Sequence, residues 1–118
     1  MNNVIEALTR VLEARRDADP ERSYVASLYR DGLDKVLEKV GEEATEVLLA
    51  AKNLEQAGAG DSARRDALTG EVADLWFHTM VMMVQLNMSP QQVLDELEQR
   101  FGLSGLDEKA ARGSQGNH

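Results

Sequence analysis

The chain has 118 residues, a formal net charge of -8 and no cysteine, which suits one domain and excludes disulfides and thiolate metal sites. Its acidity argues against a broad nucleic-acid surface, which needs concentrated Lys and Arg. A phosphorylated small molecule stays open if divalent cations reverse the local field. The opening MNNVIEALTRVLEARRDAD lacks the apolar stretch of a secretory signal, and no run approaches the roughly 18 apolar residues of a membrane span, so a cytoplasmic protein without a membrane partner is expected.

Apolar residues at Val4, Leu8, Val11 and Leu12 predict an amphipathic helix over Val4 to Arg16. The polar stretch Asp17 to Arg22 contains Pro20 and reads as loop. Ser23 is placed to cap a short helix that sends Tyr24, Leu28 and Tyr29 toward a core and stops at Gly32. DKVLEKVGEEATEVLLAAKN, Asp34 to Asn53, is the most regular piece, with Asp34 as the expected N-cap. At about 100° per residue, Val36, Leu37, Val40, Ala44, Val47, Leu48 and Ala51 fall in an arc of about 120°, the expected core face. Gln56 to Ser62 is a glycine-containing link.

Ala63 to Leu86 reads as a second long helix whose later part, LWFHTMVMMVQL, has almost no polar face. A helix apolar nearly all round must be covered on several sides, and in so short a chain a second subunit is the economical cover. Asn87 and Met88 form a turn. Ser89, Pro90 and Gln92 then make a capping-box start for a helix striped by Val93, Leu94, Leu97 and Phe101, and Gly102 stops it. The expectation is an all-α bundle of about five helices over residues 1–102, completed by an intertwined homodimer. Residues 103–118 form a polar tail in which Leu103 and Leu106 are free to dock.

Glu42, Glu43 and Glu46 lie around one side of a turn in the first long helix, and Glu71 and Asp74 lie three apart in the second. If the helices cross antiparallel, the two sets meet, and clustered carboxylate oxygens suit Mg2+. With Val36 at zero, Glu43 falls near about 340°, Glu46 near about 280° and Glu42 near about 240°. Glu43 and Glu46 therefore border the apolar arc and are expected as direct ligands. Glu42 serves a further ion or its water. The bland account is that glutamates decorate solvated helix faces and that Lys39 pairs with Glu42 or Glu43. Gly41 and Gly70 stand beside the acids inside helical sequence at a cost of roughly 1 kcal/mol each, which a close helix approach would explain; Gly70 also fits a bend or a late helix start. His78, on the Glu71–Asp74 face, is a candidate to orient a ligand or touch substrate, or is a satisfied core histidine. Trp76 and Phe77 read as packing. Lys35, Lys39 and Lys52 are candidate phosphate contacts, and Arg22, Ser23 and Tyr24 follow a loop from which they could close over a ligand.

GLDKVLEKVGEEATEVLLAAKN, EVADLWFHTMVMM and LEQRFGLSGLDEKAARG together resemble the phosphoribosyl-ATP pyrophosphatases over about Ser23 to Arg112. The EExxE and ExxD strings alone resemble only the wider all-α nucleoside triphosphate pyrophosphohydrolases. The resemblance implies Mg2+-dependent hydrolysis of phosphoribosyl-ATP to phosphoribosyl-AMP and pyrophosphate, the second step of histidine biosynthesis, by an intertwined helical dimer. It implies Glu42, Glu43, Glu46, Glu71 and Asp74 as metal-binding acids. The mechanism expected at such a site has one carboxylate, Glu46 or Glu42, accept the water proton directly or through a bound water, and the sequence leaves that choice open. By the resemblance Lys35, Lys39 and Lys52 become candidates for phosphate contact and Ser23 and Tyr24 lie near the substrate; His78 is a substrate-side candidate on its spacing from Glu71 and Asp74. Val25 replaces a usual Thr, Gly70 a usual larger residue, and Trp76 and Phe77 frequent Leu and Tyr. None of these removes an expected ligand. Two other functions fit parts of the pattern: a house-cleaning nucleoside triphosphate pyrophosphohydrolase, and a non-catalytic helical interaction protein whose apolar helix is the partner surface.

Overall fold

The computed structural model describes residues 3–102; the expected docking of Leu103 and Leu106 lies outside them. Its elements are α1 (Val4–Ala14), a 3-10 turn (Arg15–Asp17), α2 (Tyr24–Asp31), α3 (Leu33–Ala57), α4 (Ser62–Gln85) and α5 (Gln91–Phe101), so the fold is all-α, with five α-helices and no strand among the described residues. No described helix is long and apolar enough to cross a membrane.

Local chemistry sets the boundaries. Ser23 starts α2 from an extended backbone, its Oγ accepting from the Ala26 amide at 3.1 Å. Gly32, at φ 98°, lets the chain turn sharply between α2 and α3. That turn corrects the expected cap: α3 begins at Leu33, Gly32 takes the N-cap position, and Asp34 lies in the first turn, where its charge suits the helix dipole. Asp61 caps α4 by accepting from the Arg64 amide at 3.0 Å, so the link is shorter than its composition suggests. Asn87 adopts φ 62° in the turn after α4. The Ser89 and Gln92 side chains do bond across the start of α5, Gln92 Oε1 accepting from the Ser89 amide at 2.8 Å and Ser89 Oγ from the Gln91 amide at 3.2 Å. The expected boundary is corrected by one residue: Pro90 takes the N-cap position and the helix begins at Gln91.

The extensive α3–α4 packing is the spine of the molecule. α1 and α2 cover one end of it, enclosing Leu12, Val25, Leu28, Val36, Met80, Val81 and Val84. Tyr29 ties α2 to α1 by donating to the Leu12 carbonyl at 3.0 Å. Arg16 donates to the Val84 carbonyl at 3.2 Å and to Asn87 Oδ1 at 2.8 Å, placing its charge at the C-terminal end of α4.

The expected core face of α3 is corrected. Val36 is fully buried, but Leu37 is 43% exposed and Leu48 67% exposed. Glu43 is the other buried residue of α3, so the covered side is centred near about 350° on the same wheel, roughly 70° from the centre of the apolar arc. Tyr24 is also exposed over half its surface rather than turned into the core. On α4, Trp76 is 62% exposed, and α5 carries Val93, Leu94, Leu97 and Phe101 outward. The radius of gyration is 17.9 Å, against about 13 Å for a compact domain of 100 residues. The single chain therefore leaves much of its apolar surface uncovered.

Candidate active site

Glu43 and Glu46 come from one turn of α3, and Glu71 from the facing part of α4. One oxygen from each carboxylate lies within 4.8 Å of the other two. Their environments are graded: Glu43 is buried, Glu71 half-buried and Glu46 exposed, so the cluster opens to solvent from a buried floor. Burial is the first cause that pushes the Glu43 carboxyl up to about 7, followed by its contact with Glu46 and repulsion from Glu46 and Asp74, with Lys39 opposing. Glu71 is also raised, first by desolvation and then by Glu46 and Asp74.

These residues fit a hard divalent cation. The donors are all carboxylate oxygens, and the spread of 4.8 Å is close to the ~4.2 Å between opposite ligands of an ion that binds at ~2.1 Å. The mutual repulsion within the cluster is the electrostatic deficit such an ion offsets. Asp74 is exposed and adjoins the cluster electrostatically without joining the closed set of three. Glu42 is turned to Lys39, with Nζ and Oε1 3.5 Å apart.

Among the other sequence candidates, the structure separates near from far. Lys39 is adjacent: its ammonium is held above its usual range, chiefly by interaction with Tyr24, with burial opposing and Glu42 and Glu43 adding. Lys35 is engaged with Glu38 and Lys52 with Glu55, both at exposed positions along α3. Ser23 is buried and occupied as the α2 cap. Tyr24 reaches across from α2, its hydroxyl 2.8 Å from His78 Nε2. His78 is 5% exposed; its Nδ1 lies 3.0 Å from the Asp74 carbonyl oxygen and 3.5 Å from Glu43 Oε1. Phe77, read from sequence as packing alone, also walls this corner, stacked on Tyr24 with centroids 6.4 Å apart and edge-on to His78 at 5.1 Å. No sequence spacing reports this, because the pairing spans two helices.

The glycine expectation is corrected. A Cβ at Gly41 or Gly70 would meet nothing within 4 Å, so neither marks a close helix approach within the chain. Gly70 sits inside α4 and marks no late start.

A helical pair that gathers oxygen-only ligands at a solvent-open face suits a hydrolase of phosphate anhydrides. The family comparison makes the class particular: the model of the phosphoribosyl-ATP pyrophosphohydrolase family matches residues 5–101. The chain belongs to that family, an enzyme family of phosphoanhydride hydrolases in histidine biosynthesis.

Proposed function

We propose that the chain hydrolyses phosphoribosyl-ATP to phosphoribosyl-AMP and pyrophosphate with Mg2+ held by Glu43, Glu46 and Glu71. The observation that carries this is the convergence of those three carboxylates within 4.8 Å in a chain of this family. When bound, the cation supplies neutralisation of the phosphate charge and orientation of the attacking water. Asp74, beside Glu71, extends the acidic edge toward a second ion or its waters. Lys39 supplies a cation for phosphate oxygens at the same face, better placed than Lys35 or Lys52. Glu46 is exposed within the cluster and accepts the water proton, whereas Glu42 is engaged by Lys39. Tyr24 borders the substrate side from α2, and Ser23 acts through the cap that seats that helix.

The uncovered face also belongs to this reading. A second copy of the chain buries Leu37, Leu48 and Trp76 and the apolar stripe of α5, giving a homodimer active in the cytoplasm.

Purified protein assayed with Mg2+ on phosphoribosyl-ATP, ATP and dCTP tests the function. Pyrophosphate release fast on the first and slow on the others is expected; activity confined to ordinary triphosphates points to a house-cleaning enzyme, and none on any substrate overturns the enzymatic assignment. In oxygen-18 water, label in phosphoribosyl-AMP identifies attack at the alpha phosphorus, and label only in pyrophosphate identifies the beta phosphorus.

A further inference from the structure

We propose that Tyr24 and His78 form a positioning pair that fixes Glu43 at the carboxylate cluster, coupling the seating of α2 on the α3–α4 spine to cation affinity. The proposal rests on the reading of the cluster as a cation site.

The tautomer follows from the partners. A backbone carbonyl only accepts, so the Asp74 carbonyl 3.0 Å from Nδ1 requires a proton on that nitrogen. In the neutral imidazole Nε2 is then an acceptor, and the Tyr24 hydroxyl at 2.8 Å donates to it. Both ring nitrogens are engaged, and the ring is boxed edge-on by Phe77 at 5.1 Å and by Tyr24 at 5.9 Å. The imidazole therefore has little freedom to turn.

Glu43 Oε1 packs against the protonated Nδ1 at 3.5 Å, with both side chains almost wholly buried. The contact is long for a hydrogen bond, but an N–H dipole held beside a carboxylate favours one rotamer over those that swing it away. Three helices meet here: Tyr24 comes from α2, Glu43 from α3 and His78 from α4. Tyr24 is otherwise half exposed, so its hydroxyl is the part of the side chain committed to the interior. A histidine that merely fills the core would need neither a hydroxyl donated from another helix nor a carboxylate ligand against its N–H.

The test is calorimetric Mg2+ titration of the nucleotide-free full chain, with circular dichroism confirming helix content in every variant. Tyr24→Phe keeps the stacked ring and removes the hydroxyl; it is expected to weaken Mg2+ binding roughly 10-fold, as loss of a partner behind a ligand does. His78→Asn places its amide nitrogen near the Nδ1 position but leaves Tyr24 without its acceptor, so it is expected to lose roughly 10-fold like Tyr24→Phe, whereas His78→Gln loses the donor against Glu43 itself and falls further, toward roughly 100-fold. Equal affinities for the Asn and Gln variants, or unchanged affinity in Tyr24→Phe, overturn the positioning role. A parent protein that binds no Mg2+ instead overturns the cation reading beneath it. Nitrogen-15 spectra of the parent keep the question open to test if the His78 variants fail to fold. His78 is expected as the Nδ1–H tautomer with a resonance that moves on Mg2+ addition, and an unmoved resonance refutes the coupling.

Discussion

Cation binding at the cluster should be linked to proton release from Glu43, and the extent can be worked out. Burial and neighbouring carboxylates raise this group to about 7, so the metal-free site is partly protonated near neutrality. A ligand must be deprotonated to bind, so each Mg2+ bound displaces ~0.9 proton at about pH 6, ~0.5 at about pH 7 and ~0.1 at about pH 8. Competition of that form weakens apparent affinity about 10-fold between about pH 8 and about pH 6, or ~1.4 kcal/mol. Glu71 is raised as well, by desolvation and by Glu46 and Asp74, so any proton it carries is displaced in the same sense. Isothermal calorimetry in buffers of different ionisation enthalpy reads the proton count directly. Glu43→Gln should bind more weakly and lose most of the pH slope. Affinity that varies less than about 2-fold over this range in the parent, or a slope undiminished in Glu43→Gln, refutes the reasoning.

The same group sets the stability of the metal-free protein. Its folded-state value lies above the ordinary carboxylate value of 4.5, so its contribution is complete below that pH and is lost as pH rises through about 7. Thermal melts in chelator should therefore show a lower Tm at about pH 8 than at about pH 5.5, with the difference narrowed by Mg2+. Leu12→Ala, at a fully buried position, should cost about 2–5 kcal/mol in urea unfolding. Leu48→Lys alters a residue 67% exposed in the single chain; light scattering should show the parent near twice its 13.0 kDa mass and the variant shifted toward one chain. Gly41→Ala meets open space within a helix and should raise stability by roughly 0.5–1 kcal/mol, with a loss indicating that a second copy approaches there.

The helices were legible because their punctuation is local. Ser23, Gly32, Ser89 and Gln92 act within a few residues of themselves, and the structure uses each at a helix end. The apolar periods marked α1, α3 and α4 for the same reason. The acid set was partly legible: spacing put Glu43, Glu46 and Glu71 among five candidates, but only the packing of α3 on α4 separates the closed three from Glu42 and Asp74. The Tyr24–His78 pairing spans 54 positions and leaves no periodic trace. Spacing also overreached. Glycines beside the acids suggested close packing that a Cβ at either position does not meet, and of the three candidate lysines Lys39 acts on Glu43 while Lys35 and Lys52 pair with Glu38 and Glu55.

One rotation links the buried acid to the exposed leucines. The apolar arc of α3 is centred about 60° from Val36 on the helical wheel, whereas the side covered within this chain is centred close to Val36 itself. Had α4 packed on the centre of the arc, Leu37 and Leu48 would be enclosed and Glu43, near about 340°, would reach solvent. The observed offset does the reverse: it seats Glu43 at 6% exposure and leaves Leu48 at 67%. Burial of a carboxylate costs free energy unless a cation or donors offset it, and exposure of leucine forgoes the gain of enclosing it. In the isolated metal-free chain Lys39 and the His78 N–H offset the first cost only in part, and the second is not recovered. Mg2+ relieves the first and a second subunit the second, so under the proposed function cation and partner each stabilise the α3–α4 geometry that creates the site for both. Unfolding of the parent should accordingly respond to Mg2+ and to protein concentration together. Leu48→Lys should weaken Mg2+ binding although it lies outside the carboxylate cluster; affinity unchanged in a variant shown to be a single chain would separate the two effects and break this link.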